Sequence, residues 1–460
     1  MTDPVIVVGG SVAALTAADA LGAAGVAVEL FLPERGIGGG FLPLDRDGRR
    51  LDLGPRVIEL RYDDADLPPS PPLHTYVPGP HGHRPFLGLL DDFVATLVGD
   101  DLIEVPPAAA SVGGRRTGDY VLAGDLSGLD QAIEAGVLAD LAAALAERVS
   151  VEGPHGWFAA ERGGLPWDHT FGEISKDHVG RPFHDLLIEP IAAKIVPGGS
   201  SSVLAPLHRK IWLPLFHPIT AWEACVGRLS YLPDRPFATV AGGGMGEVVR
   251  RLLDRASEAP SVTVRREGSL TALADAGAGR VGLSFTSGEM VVATDPVLGV
   301  GAEELFAAAG LAYEVDKVLA SMVWIDLPES DVASLPSVLF SAEPGIGVMR
   351  VTDSRADQRD GWRTVCCEVA CDVAAPDREA VALRGLVDLG VASSVERAVV
   401  VTSASVPAFA VPSATNLDRF VAARAAFDAL GMRLRVVGAP TAFGVDSFNE
   451  QVVQGLAAVS

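Results

Sequence analysis

The side chains able to move protons near neutral pH are concentrated in one part of this chain. All nine histidines lie between His74 and His217, and imidazole is the one side chain whose unperturbed charge change falls in that range. The densest stretch is LPWDHTFGEISKDHVGRPFHDLLIEP, residues 165–190, which sets His169, His178 and His184 among Asp168, Asp177, Asp185 and Glu189. With His217 downstream, these histidines are the candidate general acids and bases. A second stretch, HRKIWLPLFHP at 208–218, joins the cations Arg209 and Lys210 to the rings of Trp212 and Phe216. An aromatic wall beside cationic heads suits a mostly apolar ligand carrying a carboxylate or phosphate; an amphipathic element packed on the core with its cations in water reads the same way. No histidine pair has zinc spacing, so no metal is expected. Three of the four cysteines, Cys366, Cys367 and Cys371, fall in WRTVCCEVACDV, read as a strand with small buried thiols.

The elements that must position these groups begin at residues 4–40, a strand, a tight glycine turn, a helix, a second strand and a second glycine turn. This is a βαβ nucleotide-binding pattern in which G-x-G-x-x-G is replaced by Gly9, Ser11 and Ala14. The middle glycine lets backbone approach a pyrophosphate, and an acidic residue should end the second strand to hold a ribose hydroxyl. Ser11 introduces a Cβ and a hydroxyl at the first place, and Leu32 stands at the second. Glu29 or Glu34 could reach the ribose only if the second strand ended elsewhere. Residues 68–85 form a proline-rich excursion, 86–230 are mainly helical, 236–273 return to an α/β pattern, 280–300 read as a hairpin, and 318–372 alternate like an antiparallel sheet. Residues 376–390 are helical, and a last strand at 433–443 leads to a helix at 447–459 capped by Asp446 or Ser447.

The order of parts resembles the flavin amine oxidase and protoporphyrinogen oxidase superfamily, including relatives close to UDP-galactopyranose mutase, over nearly the whole chain. The likeness is carried by VIVVGGSVAALTAADALGAAGVAVELF, GIGGGF, LDLGPRVIEL, LIEPIAAKIV, AGGGMGEVVRRLL and RVVGAPTAFGVDSFNEQVVQGLAA. It implies a two-domain α/β fold of the FAD-dependent oxidoreductase type: a Rossmann-like nucleotide-binding domain from 1–70, 235–305 and 405–460, and a substrate domain of antiparallel sheet and helices from 71–234 and 306–404. Matched to this chain, the cofactor-contacting positions are Gly9, Gly10, Ser11, Ala14, Gly38, Gly39, Gly438 and Ala439. Arg56 of the G-P-R element and Asn449 of the closing helix would lie beside flavin or substrate, and Pro190 and Lys194 match a P-x-x-x-K element. The departures fall on the cofactor: Ser11, Leu32, and Ala439, where the oxidases carry Gly-Asp and the mutase relatives Gly-Arg. Each lost charge-assisted hydrogen bond costs about 1.5–3 kcal/mol, so the expectation is FAD bound weakly or not at all.

The resulting expectation is an enzyme of small-molecule metabolism that performs non-redox acid–base chemistry, such as cyclisation, isomerisation or elimination, in an inherited cavity. The alternatives are an FAD-dependent oxidase or desaturase and a non-catalytic binding protein on the same fold. A net charge of −23 over 460 residues argues against nucleic acid. No apolar run reaches the roughly 18 residues of a membrane span, and the first strand follows the initial Met at once without a leader pattern, so a cytoplasmic protein is expected. The sequence does not set the oligomeric state.

Overall fold

A computed structural model describes residues 3–55, 57–59, 92–122, 124–152, 165–216, 218–228, 237–333, 335–354, 359–444 and 447–458. Strand β1, Val5–Val8, is followed by helix α1, Val12–Ala23, and strand β2, Val28–Leu32. β-branched residues favour the two strands, whereas α1 is rich in alanine and buried nearly all round, as a helix covered on both sides must be. β1 lies at the centre of a five-stranded sheet in which every pairing among the described residues is parallel. Its order runs from Val262–Arg266 through β2 and β1 to Val297–Leu298 and Arg435–Val436. The helix Gly244–Glu258 and the closing helix Phe448–Ala457 flank α1. In the former, Val248, Val249 and Leu252 form the buried stripe that their spacing predicts.

The second large layer is a seven-stranded sheet ordered Val399–Ala410, Lys317–Pro328, Trp362–Val369, Val348–Asp353, Val338–Ser341, Ala109–Val112, Arg115–Thr117. Its central strands are those read from the alternation of 318–372. The last two come from the stretch expected to be mainly helical: Ala109–Val112 pairs parallel with Val338–Ser341, a partner more than two hundred residues away, so the local pattern gave no sign of it. Leu102–Glu104 likewise pairs with Phe237–Val240. The hairpin expected at 280–300 is Arg280–Phe285 with Met290–Thr294, extended by Leu270–Gly277 into a three-stranded sheet. The chain is thus a mixed α/β protein with parallel and antiparallel sheets.

The two layers meet around residues 51–55. Leu51 packs with Met322, Trp324 and Cys366 of the seven-stranded sheet, and the Trp324 indole donates to the Asp52 carbonyl at 2.8 Å. α1 and the closing helix touch at Gly455, where a Cβ would stand 2.5 Å from the Ala13 carbonyl oxygen and 2.7 Å from Thr16 Cβ. Gly455→Ala should therefore cost about 1–3 kcal/mol by overpacking, seen as a lower urea midpoint with unchanged slope.

Candidate functional site

The glycine turn after β1 keeps its backbone course. Gly9 has φ +120° and donates to the Phe31 carbonyl at 2.9 Å; Gly38, at φ +94°, donates to the Gly10 carbonyl at 2.6 Å. What differs is how the donors around the turn are used. Ser11 is the N-cap of α1, and its Oγ accepts the Ala14 N–H at 3.2 Å. The Pro33 ring closes on Gly10, 3.2 Å from where a Cβ would stand. Leu32 is fully buried at the end of β2; Glu29 is paired with Arg265 at 3.0 Å, and Glu34 faces solvent. In the closing segment the Gly438 N–H donates to Gln454 Oε1 at 2.6 Å, and the Thr441 hydroxyl donates to the same oxygen at 3.1 Å. Ala439 is half-buried, and Gly39 is exposed in the second turn. Asn449 is buried in the first turn of the closing helix, which Ser447 caps in a box with Glu450; Asp446 lies outside the described residues. Ser11 and Ala14 thus bond each other, Gly438 bonds Gln454, and Leu32 offers no oxygen to a ribose, so the side chains at these positions differ from the usual FAD contacts.

The histidines are dispersed among separate roles. His169 bonds Asp168 through Nδ1 at 2.9 Å on the exposed surface, and that hydrogen bond raises its pKa. His178 is buried in the helix Phe171–Phe183. His184 starts a π-helical turn, His184–Ile188, and is fully buried. Its Nδ1 meets Ser175 Oγ at 3.0 Å; its Nε2 meets Ser200 Oγ at 3.1 Å and Glu189 Oε2 at 3.2 Å, while the Ser200 hydroxyl donates to Glu189. Burial pushes the Glu189 carboxyl up, but the bonds from His184 and Ser200 outweigh it and leave it below its ordinary value. Ser200 and Glu189 share one ring nitrogen, whereas Ser175 and Glu189 take opposite ones in a serine–histidine–carboxylate order; Ser175 and His184 are both buried, 2% and 0% exposed. Arg56 and His217 lie outside the described residues.

The 208–218 element divides. His208 is buried, stacks on Phe171 with centroids 5.2 Å apart, and donates through Nδ1 to the Leu213 carbonyl at 2.5 Å. Burial and the neighbouring Arg209 push its pKa down to about 3. Phe216 joins the core against Phe183 and Tyr120. Arg209 reaches the Val121 carbonyl at 3.4 Å, and the Lys210 chain lies along Gly444. Trp212 alone turns toward the antiparallel sheet.

There it covers a group absent from the sequence reading. Arg350 and Glu368, on adjacent strands, are each 2% exposed and form a two-bonded ion pair through Arg350 Nε and Nη2, the latter at 2.7 Å. The Trp212 ring lies 3.6 Å from the guanidinium carbon. Gly54 packs directly on the pair and could not carry a Cβ. Trp212, Glu368 and Lys194 line one small cavity; Asp52, Thr239, Thr352 and Asp353 line another. Lys194 donates to the carbonyls of Ser341, Glu343 and Val348 and to Ser341 Oγ at 2.9–3.2 Å. Burial lowers its pKa to about 8 against the pull of Glu343 and Asp372. A charged residue at an inward position of each of two apolar strands, MRV and CEV, was the available signal. Among the described residues no group of three or more His, Cys, Asp or Glu is placed to hold a metal, and no helix is long and apolar enough to cross a membrane.

No protein-family model and no curated protein matches the chain. Solved structures of similar fold include a reduced UDP-galactopyranose mutase (TM-score 0.72, 14% identity, 100% of this chain and 95% of that one). Others are a putrescine oxidase bound to putrescine (0.58, 15%, 100% and 98%) and a CLA-producing fatty acid isomerase from P. acnes (0.56, 15%, 99% and 97%). At these identities the likeness is one of fold, the fold that the sequence motifs imply.

The buried neutral His208 sets an acid limit on stability. The unfolded chain takes up this proton near pH 6.5 and the folded chain only near 3, so stability falls as pH drops through that window. His208→Gln, which can keep the bond to Leu213, should flatten the decline in unfolding free energy between about pH 6 and 4.

Proposed function

We propose that this chain is an enzyme of small-molecule metabolism that does not hold FAD by the usual contacts and carries out non-redox acid–base chemistry, an isomerisation, cyclisation or elimination. The observation that carries this reading is the state of the positions a dinucleotide would meet: the Ala14 N–H is taken by Ser11 Oγ and the Gly438 N–H by Gln454 Oε1, with Leu32 in place of a ribose carboxylate. Buried backbone donors need one acceptor each, and here the chain supplies it. A phosphate drawing on the Ala14 or Gly438 N–H would have to displace those bonds. That similar folds occur in a mutase and an isomerase as well as an oxidase makes this chemistry compatible with the architecture, by analogy only.

The reacting centre is placed on the face of the seven-stranded sheet beneath residues 51–55, where Glu368 is the buried carboxylate and Arg350 fixes its orientation through two hydrogen bonds. The substrate is a mostly apolar small molecule with one polar group. Lys194 braces the sheet rather than reacting, because its three protons already meet four acceptors. Cys225, Cys366, Cys367 and Cys371 are free thiols, which fits a reducing, cytoplasmic setting.

A second reading, an FAD-dependent oxidoreductase, is favoured by one feature: Gly9 and Gly38 keep the positive φ of an intact double glycine turn. Absorbance separates the two. Protein incubated with excess FAD and desalted should be colourless, and Ser11→Gly with Leu32→Glu should raise FAD affinity by about tenfold or more, the effect of one or two regained charge-assisted bonds. Flavin absorbance at near one-to-one stoichiometry in the unaltered protein would overturn the first reading in favour of the second.

A further inference from the structure

Independent irregularities of the backbone converge where Trp212 meets the seven-stranded sheet. The register between Val348–Asp353 and Trp362–Val369 breaks between Val348 and Arg350, leaving Met349 as an extra residue immediately before the buried arginine. The register between Lys317–Pro328 and Val399–Ala410 breaks where Val318 faces Phe409 and Leu319 faces Pro407, leaving Ala408 as the extra residue. Both extra residues line the cavity that Trp212 and Glu368 line. Bulges re-aim side chains and gather beside functional sites. Trp212 itself adopts the left-handed conformation at φ +59°, a costly state for a bulky side chain. Arg350 adds an unmet need: with Nε and Nη2 given to Glu368, its buried Nη1 has no acceptor among the described residues. A buried ion pair is seldom the cheapest way to fill a core, and one placed at a cavity between two bulges points to binding.

We infer that this cavity is a binding site for a small, uncharged, mostly apolar molecule carrying a hydroxyl group, with Glu368 accepting its hydrogen bond and Trp212 as the side chain that yields to it. The inference deepens the proposal above and rests on its choice of this face as the reacting centre. The absence of ligand charge follows from the charges already balanced: Arg350 neutralises Glu368, and the Lys194 protons are all engaged. An ammonium would also compete with Arg350, which already occupies the Trp212 face. A hydroxyl both donates and accepts, and its proton suits the spare lone pairs of Glu368, the carboxylate that lines the cavity. The remaining walls, including Met349, Val318 and Phe409, are apolar apart from Ser321 and the Cys371 thiol. The cavity measures about 20 Å³ as closed, space for about one water molecule, so a ring-sized ligand enters by moving the half-buried Trp212 indole.

The test uses the full chain labelled with methyl-¹³C methionine, the Met349 resonance being assigned by its loss in Met349→Leu. Benzyl alcohol, benzylamine and benzoate offer one apolar body with a neutral, a cationic and an anionic head. The Met349 methyl should shift saturably with benzyl alcohol at a midpoint at least about threefold below those of the charged probes, with a change in tryptophan emission that Trp212→Phe removes. Ala320→Leu, which fills the cavity, should abolish the shift; if that variant does not fold, the probe order in the unaltered protein decides. No Met349 shift with any probe, or tighter binding of benzoate or benzylamine, overturns the inference. Blue absorbance of the same sample reads the cofactor separately: a flavin-retaining protein whose Met349 responds keeps the pocket and loses the proposed cofactor-free chemistry, and a colourless, unresponsive protein does the reverse.

Discussion

The Gly438 N–H donates to the Gln454 side-chain oxygen at 2.6 Å, and much of the architecture around the glycine turn depends on bonds of that kind. A parallel sheet of this type ends in turns whose backbone donors converge at the N-terminus of the first helix, and a buried donor without an acceptor costs about 1–3 kcal/mol. On a dinucleotide-binding protein the ligand's oxygens meet that need. Here Ser11 and Gln454 meet it from inside the chain, and the Thr441 hydroxyl joins the same oxygen. Gln454 sits beside Gly455, at the tight contact of the closing helix with α1, so this acceptor is held by helix packing. The turn can then be well formed without a cofactor.

The seven-stranded sheet carries the second constraint. Arg350 and Glu368 neutralise each other under Trp212, while residues 51–55 are held to the same face by the Trp324 bond to Asp52 and by Gly54 against the ion pair. A charged pair so deeply buried must keep both partners, because removing either leaves an unpaired charge in the core. The loop following the first glycine turns and the floor of the antiparallel sheet are therefore coupled: neither can shift without exposing or unpairing the other. That coupling makes this face of the sheet a rigid one.

Much of the fold was legible because its signals are local. Residues 4–40 combine β-branched strands, glycines at forced turns and an alanine-rich helix, and 318–372 alternate with period two; both formed as expected. Strands 109–112 and 399–410 were not legible, since each gains its order from partners distant in sequence. At the site, the departures at Ser11 and Leu32 were visible, but their consequence needed coordinates: a hydroxyl in a sequence does not reveal that it caps Ala14. Gln454 gave no sign of its own, being one of four polar residues, with Asn449, Glu450 and Gln451, in the closing helix. The histidines drew attention through intrinsic pKa, yet His184 and His208 serve internal hydrogen bonds. Arg350 and Glu368 were hidden because strand register decides whether two charges meet.

The Ala14 and Gly438 N–H groups at the glycine turn are satisfied by the protein itself. Hydrogen exchange of peptides covering Gly9–Leu15 and Val437–Thr441, followed by mass spectrometry with and without FAD, tests it most directly. The account predicts that the Ala14 and Gly438 amides exchange as slowly as the parallel sheet without FAD and that adding FAD changes nothing. Rapid exchange of both amides that becomes slow when FAD is added would contradict it.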